Sequence, residues 1–232
     1  MKLAIMQPYF FPYLGYWQLI NAVDKFVVYD NIKYTKKGWI NRNRVLLHGT
    51  DTLFTIPIKN DSDSLNINQR FLSESFERTD LLKRLVEAYK KAPFYTSVFP
   101  FLEHIIMYQT KNLFEYLLNS ISSVCEFLSI TSELVTSSTI RCDHSLKSQD
   151  RVLAICESLG ATTYINPIGG TELYSHDEFA GRGIKLLFLK SCAFEYKQFE
   201  NQFIPWLSII DVLMFNEKPK IQAALKSGFD LI

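Results

Sequence analysis

The sequence predicts an α/β protein with a mostly parallel sheet, strand-helix-strand units at both ends and a helical insertion in the middle. An apolar run at 2–6, helically spaced apolar residues at 13–23 and the run KFVVYD at 25–30 form the first unit. So short a unit joins two parallel strands through a right-handed crossover helix. A second series of strands and helices fills the C-terminal half.

The middle of the chain changes from strand patterns to helix patterns. In order, we expect a strand near Val45, a strand at 53–58, a loop at 60–76 with a short strand at Asn66–Gln69, and helices beginning near Thr79, Phe94 and Lys111. The three helices make residues 78–130 a helical insertion or subdomain. No Gly-, Pro- or Ser-rich linker divides the chain, so we predict a single domain over residues 1–232.

The C-terminal half again alternates strands with helices. We expect strands at 133–140, 162–166 and 184–190, a helix at 148–160 with Ser148 as N-cap and Gly160 past its end, and a helix within 203–216 with Pro205 in its first turn.

The composition excludes several classes of protein. Hydrophobic residues make up 47% and charged residues 21%, and the formal net charge is +1. No bulk field therefore draws the molecule to nucleic acid, and anion binding has to be local. The four cysteines show neither CxxC nor zinc-ligand spacing, which predicts reduced thiols and no metal site. No secretory signal or membrane span is evident, so we expect a cytoplasmic protein.

The opening turn QPYFFPYLGYWQLI is the first candidate site, with Gln7, Tyr13, Gly15 and Tyr16 as ligand-binding residues. A helix that begins after a parallel strand points free N–H groups at the carboxyl edge of the sheet. Gly15 lies in the first turn, where the absence of a side chain lets a ring or a phosphate approach. Packing of the rings into the core is the alternative for each aromatic residue.

The basic segment TKKGWINRNR supplies the second candidate, formed by Lys36, Trp39, Arg42, Asn43 and Arg44. Guanidinium groups bind phosphate through paired hydrogen bonds, and an indole stacks on a base or sugar. In an alternating strand the two arginines share one face. The set suits a nucleotide or a nucleotide-linked sugar, and a solvated basic loop is the alternative.

Asp30 follows the second strand at the carboxyl edge of the sheet, close to the opening turn. A carboxylate there binds a ribose hydroxyl, a metal or a substrate amine. A cap or a loop hydrogen bond is the alternative for a single aspartate.

The segment YINPIGGTELY places two glycines directly after a strand. Backbone N–H groups of such a turn can cradle a carboxylate or phosphate. We expect Asn166, Gly169, Gly170 and Tyr174 to form the wall of the site opposite the opening turn. A tight turn alone also explains paired glycines.

Six segments in this order resemble the WbqC-like family over nearly the whole chain. They are AIMQPYFFPYLGYWQLI, VYDNIKYTKKGWINRNRV, TIPI, YKKAPFY, YINPIGGTELY and LSIIDVLMFN. Many members of that family have a histidine before the Gln-Pro pair, where this chain has Met6. The resemblance implies a bacterial cytoplasmic protein of surface-polysaccharide or O-antigen clusters. It also implies a nucleotide-activated sugar, often an amino sugar, as ligand.

These observations and the resemblance together predict an enzyme that acylates the amino group of a nucleotide-linked amino sugar. The opening unit resembles adenylate-forming enzymes of the pantothenate synthetase type, which implies ATP-dependent aminoacylation; a CoA thioester is the alternative donor. We expect the phosphate at Gly15 and the basic side chains, Asp30 orienting the amine or a ribose, and Asp211 acting as a base or a structural cap. Whether the chain forms a homodimer stays open.

Two alternative functions remain. The spacing Tyr13-Leu14-Gly15-Tyr16 is similar to the HxGH box of nucleotidyltransferases, but both histidine positions hold tyrosine. Tyrosine hydroxyls donate to phosphate but are uncharged near neutral pH. The other alternative is a non-catalytic protein that binds a nucleotide sugar.

Overall fold

The computed structural model describes residues 1–200 and 202–232. Its strands are β1 (Lys2–Met6), β2 (Lys25–Val28), β3 (Arg42–Leu47), β4 (Thr50–Thr55), β5 (Glu133–Thr136), β6 (Thr163–Pro167), β7 (Lys185–Ser191) and β8 (Phe229–Leu231). Its α-helices are α1 (Leu14–Asn21), α2 (Arg78–Tyr89), α3 (Tyr95–Ile106), α4 (Leu113–Leu128), α5 (Ser148–Ser158), α6 (His176–Gly181), α7 (Ile209–Phe215) and α8 (Lys218–Ser227). Short 3-10 turns lie at Ile67–Gln69, Ser137–Thr139 and Ile168–Leu173.

Six strands form one sheet in the order β5-β2-β1-β6-β7-β8, and β3 and β4 form a separate hairpin. Neighbours in the large sheet are parallel except for β7 and β8, which are antiparallel. The prediction of an α/β fold with a mostly parallel sheet is therefore confirmed. From β1 the chain first builds outward through β2 and β5, and then continues with β6 on the other side of β1. In open α/β sheets, ligands bind at the carboxyl ends of strands where the order reverses in this way.

Side-chain alternation along the central strands builds an apolar core on each face of the sheet. Ala4 and Phe26 point to the face covered by α1, in a large core that also includes residues of α2, α3, α4 and α7. Leu3, Ile5 and Val27 point to the other face, where they pack with residues of α5 and α6. Helices on both faces explain why the strands read as nearly continuous apolar runs. The division into one domain with an insertion at 78–130 stays a prediction.

Two local predictions in the first half need correction. The segment predicted as a strand at Asn66–Gln69 is a 3-10 turn, in which the Asn66 N–H donates to the side chain of Gln69 at 2.9 Å. The strand predicted at 53–58 lies instead at Thr50–Thr55. It ends two residues before Pro57, which lacks the N–H that a strand ladder uses.

In the second half, Ser148 is the first residue of α5 at φ 48°, and Lys147 occupies the N-cap position. Gly160 follows the helix, as predicted, and has φ 69°. Helix α7 begins only at Ile209, so Pro205 lies outside it, and the Ser208 hydroxyl caps it by accepting from the Ile210 N–H at 3.2 Å. The sequence did not lead us to predict α8 or β8.

Across the described residues, no helix combines the length and the apolar character needed to cross a bilayer.

Candidate functional site

A cavity of about 300 Å³ lies at the carboxyl edge of the sheet, on the face covered by α1. Met6 at the end of β1, Pro167 at the end of β6 and Leu189 of β7 line it, together with residues of the opening turn and of β3. The cavity thus occupies the place where the strand order reverses. We call it the switch-point cavity. Its volume is at the lower end of the range for small-molecule sites.

Side-chain hydrogen bonds hold the opening turn in its shape. The Asn43 side-chain amide donates to the carbonyl oxygens of Phe10 at 3.1 Å and Phe11 at 2.8 Å. The Ser208 hydroxyl also donates to the Phe11 carbonyl, at 2.7 Å. Phe11 has φ 43°, a conformation that is uncommon for a bulky residue and persists only where its surroundings fix it. The turn is therefore anchored by residues distant in the sequence.

Tyr16 closes the floor of the cavity. Its side chain is buried, and its hydroxyl donates to the carbonyl oxygen of Gln7 at 2.9 Å. Burial raises the pKa of Tyr16 well above its ordinary value, so the hydroxyl is neutral near pH 7. The Tyr9 ring also lines the cavity, and its centroid lies 5.7 Å from that of the Tyr16 ring. Gln7 contributes its carbonyl oxygen to this arrangement.

Gly15 lines the cavity beneath the ring of Tyr13. A Cβ atom at Gly15 would lie 2.5 Å from atoms of that ring, so only glycine lets the ring lie over the first turn of α1. The ring that lies against Gly15 in the structure is that of Tyr13 and belongs to the chain itself. A phosphate reaches this turn only if the Tyr13 ring moves.

Arg44 and Trp39 form the polar side of the cavity. The Arg44 guanidinium lies 5.6 Å from the centroid of the Trp39 ring, within the range of a cation–π contact. Arg44 Nη1 also contacts Asp51 Oδ2 at 2.5 Å, whereas its buried Nε has no hydrogen-bond partner among the described residues. Trp39 is 43% exposed, so the indole is open to a ligand.

Trp206 also lines the cavity. Its ring meets that of Tyr13 edge to face, with centroids 5.5 Å apart. Trp206 has φ 61° and is 56% exposed. It lies in the segment between β7 and α7, far from the opening turn in the sequence. The Tyr13–Trp206 pair also borders a second cavity of about 280 Å³ on its far side.

A family model described as the WbqC-like protein family matches residues 7–223. The chain belongs to this family. It is 28% identical over 223 residues to a protein of Mycobacterium tuberculosis (strain ATCC 25618 / H37Rv) named uncharacterized protein Rv1507c, with 93% of each chain covered. No solved structure matches the chain significantly.

In this WbqC-like protein the predicted basic residues do not converge. Arg42 Nε donates to the Gly38 carbonyl at 2.9 Å and its Nη2 to the Lys36 carbonyl, so its guanidinium folds back over its own loop. The Lys36 ammonium contacts Asp63 at 2.7 Å. Both side chains line a different concavity from that of Arg44. The expectation that the two arginines share a site is therefore corrected, because backbone carbonyls capture one of them.

Asp30 is a structural link outside the switch-point cavity. Its side chain is 1% exposed. Its Oδ2 accepts from the Asn68 side-chain amide at 2.8 Å and its Oδ1 from the Ser138 N–H at 2.8 Å. The carboxylate thus ties the end of β2 to two 3-10 turns. Asp30 therefore makes loop hydrogen bonds, which were the alternative expectation. It does not line the cavity in which we expected a contact with substrate.

Asp211 is buried behind the second cavity and does not line the switch-point cavity. Tyr89 donates to its Oδ1 at 2.8 Å, while Tyr196 and Gln198 donate to its Oδ2 at 2.6 and 2.7 Å. Burial raises the pKa of Asp211, and the three hydrogen bonds act in the opposite direction. These contacts give Asp211 a structural role, although Ser208 and not Asp211 caps α7. A base would need a path to the cavity.

The glycine turn lies on the other face of the sheet. Asn166 accepts from the Tyr164 hydroxyl at 3.1 Å, and the Tyr174 ring packs edge to face against Tyr164 in the core that contains α5. Gly170 is buried close to the Asn166 side chain and Gly169 faces open space. These residues do not form the predicted opposite wall. Odd and even positions of β6 point to opposite faces, so Asn166 lies on the face away from the cavity that Pro167 lines.

Pro167, Leu189 and Trp206 complete the lining of the cavity instead. A sequence signal for the first two existed, because both lie at the carboxyl ends of predicted strands, where ligands of α/β proteins bind. Trp206 had no comparable signal. Among the described residues there is no cluster of three or more His, Cys, Asp and Glu side chains that could hold a metal ion.

Proposed function

We propose that this WbqC-like protein acylates the amino group of a nucleotide-linked amino sugar in O-antigen or surface-polysaccharide biosynthesis, in the cytoplasm. The observation that carries the proposal is the placement of Arg44, Trp39 and the first turn of α1 around one cavity at the strand-order reversal. Cavities in this position commonly receive nucleotides. The family resemblance described above contributes the sugar and the pathway.

Each polar or aromatic wall has a role in this proposal. Arg44 binds the diphosphate, since a guanidinium forms paired hydrogen bonds with phosphate oxygens. Trp39 stacks on the base or on a sugar ring. The cavity of about 300 Å³ takes only part of a nucleotide sugar, so the remainder extends past Tyr13 and Trp206. That direction leads to the second cavity.

The transfer forms an amide bond between the acyl carbon and the amine nitrogen of the sugar. With a CoA thioester the carbon–sulfur bond breaks, and the thiol leaves with the proton that the amine gives up. With ATP, a carboxylic or amino acid is first activated as its adenylate, releasing pyrophosphate, and AMP leaves when the amide forms. Because Asp30 and Asp211 do not line the cavity, positioning and electrostatic stabilisation would carry the rate enhancement.

A second candidate function is binding of a nucleotide sugar without catalysis. The described residues that line the switch-point cavity include no carboxylate and no imidazole. Such a lining offers no evident general base. This composition is what a protein that only holds its ligand would need.

Mass spectrometry of reaction mixtures separates these functions. The protein is incubated with UDP-, dTDP- and GDP-linked amino sugars, each with either acetyl-CoA or ATP and a mixture of amino acids. An amide product from the parent protein, reduced in the Arg44→Gln variant, supports the proposal. Binding without product under every combination supports the non-catalytic function. In a parallel mixture of sugar 1-phosphates with nucleoside triphosphates, release of pyrophosphate together with a new sugar nucleotide supports nucleotidyl transfer.

A further inference from the structure

The second cavity, which we call the aromatic chamber, lies between the end of β7 and the segment that leads to α7. Its volume is about 280 Å³. It shares Tyr13 and Trp206 with the switch-point cavity, so the two spaces adjoin across this ring pair. Of the described residues that line it, Tyr13 alone belongs to the predicted site.

Five aromatic rings line the chamber: Tyr13, Phe194, Tyr196, Phe203 and Trp206. Tyr196 lies edge to face with Phe203 at 5.2 Å and tilted against Phe194 at 5.7 Å. Aromatic faces carry partial negative charge, and groups of such rings bind ammonium ions through cation–π attraction. One ring already makes this contact, because the Lys220 ammonium lies 5.4 Å from the centroid of Phe194.

The charge of the residues that line the chamber also favours a cation. Glu195 is the charged side chain among its described lining residues, and it makes no ion pair with any described residue. Behind the wall, the Tyr196 hydroxyl donates to the buried carboxyl of Asp211. Neither a lysine nor an arginine lines the chamber among the residues described. The switch-point cavity has the opposite character, since its charged residue is Arg44.

We propose that the aromatic chamber binds a primary ammonium group, held by the carboxylate of Glu195 and the faces of the surrounding rings. The two adjoining spaces then sort a ligand by charge, with its anionic part at Arg44 and its ammonium group at Glu195. Assigning that ammonium group to the sugar amine rests on the proposed function. Binding of an ammonium group by the chamber does not.

The Tyr13–Trp206 pair is the boundary that such a ligand crosses. Trp206 holds a left-handed backbone conformation, which is uncommon for a bulky residue. Strain of this kind is concentrated at ligand clamps and active sites. The exposed indole is thus placed at the junction of the two spaces.

The test compares benzylammonium with benzyl alcohol, a neutral molecule of nearly the same shape. Isothermal titration of the parent protein is expected to show benzylammonium binding roughly fivefold or more tightly, because an ammonium gains both the carboxylate and the rings. Glu195→Gln should remove most of this preference and leave the affinity for benzyl alcohol unchanged. Glu195 is exposed, so the variant should fold.

Glu103→Gln serves as the control, because Glu103 is exposed, lines neither cavity and should leave the preference for benzylammonium intact. Equal affinity for the two probes, no binding of either, or an unchanged preference in Glu195→Gln overturns the proposal. An ammonium preference without any amide product would sink the proposed reaction alone. Nucleotide binding at Arg44 without an ammonium preference would sink this inference alone.

Discussion

The Arg44 guanidinium lies 5.6 Å from the centroid of the Trp39 indole, and both side chains line one cavity with Gly15. The hairpin that contributes Arg44 is separate from the main sheet, yet it delivers a cation to the carboxyl edge of β1. Asn43 links the hairpin to the opening turn, because its side-chain amide donates hydrogen bonds to the carbonyl oxygens of that turn. The same short segment therefore supplies the cation of Arg44, the indole of Trp39 and the Asn43 hydrogen bonds that hold the opening turn.

Asn43→Ala should lower both stability and ligand affinity. The substitution leaves the carbonyl oxygens of Phe10 and Phe11 without the side-chain amide that bonds them. Loss of buried hydrogen bonds of this kind costs about 2–4 kcal/mol of the free energy of unfolding. Urea denaturation measures the loss. Asn60→Ala, a substitution at an exposed position, should change stability by less than about 0.5 kcal/mol. Equal losses of stability in the two variants would show that the Asn43 hydrogen bonds do not stabilise the opening turn.

Gly15→Ala should change the position of the Tyr13 ring more than it changes stability. Alanine gains about 0.5–1 kcal/mol over glycine within a helix, whereas displacing Tyr13 from Trp206 costs about 0.5–1.5 kcal/mol. The two effects nearly cancel in the thermal midpoint. The near-ultraviolet circular dichroism should change because the ring pair is disturbed. At Gly181 an added Cβ meets nothing within 4 Å, so Gly181→Ala should leave that spectrum unchanged.

An unchanged spectrum in Gly15→Ala would show that the Tyr13 ring does not lie over the first turn of α1 in solution.

Asp211→Asn tests the buried carboxyl through its pH dependence. Burial raises the pKa of Asp211 above the ordinary 3.8, so the folded state holds the proton more tightly than the unfolded state does. Its contribution to stability is then complete below pH 3.8 and is lost as the pH rises through the raised pKa. The difference in free energy of unfolding between the parent and Asp211→Asn should therefore shrink with rising pH across that window.

Asp63→Asn provides the contrast, because the hydrogen bond from Lys36 lowers the pKa of Asp63. Its contribution is present above pH 3.8 and is lost as the pH falls through the lowered pKa. The difference between the parent and Asp63→Asn should thus grow with rising pH. Denaturant titrations over a pH series measure both differences. A parent-to-Asp211→Asn difference that grows with pH would contradict the assignment.

The sequence was sufficient for elements whose signals are local. The run KLAIM, the helical spacing after Pro12 and the run KFVV predicted β1, α1 and β2, and with them the parallel pairing. The place of the switch-point cavity also agrees with the strand order. The residues named at Tyr13, Gly15, Tyr16, Trp39 and Arg44 do line it.

Long-range contacts decided the rest. Arg42 and Arg44 have the same alternation, but the carbonyls of the preceding loop bind only the first. The Asp30 carboxylate accepts hydrogen bonds from Asn68 and Ser138, which are 38 and 108 residues away in the sequence. Trp206 reaches Tyr13 only after the chain has completed β7. No periodicity or motif in the sequence encodes such pairings.

The central claim is that Arg44 holds an anionic ligand in the switch-point cavity, and isothermal titration with UDP-, dTDP- and GDP-linked amino sugars tests it directly. For the nucleotide sugar that the parent binds, Arg44→Gln should weaken the affinity about 10- to 100-fold, the equivalent of a charge-assisted hydrogen bond. Lys36→Gln, which removes a nearby cation that lies outside the cavity, should leave it within about twofold. Equal losses in both variants, or no loss in Arg44→Gln, would contradict the account.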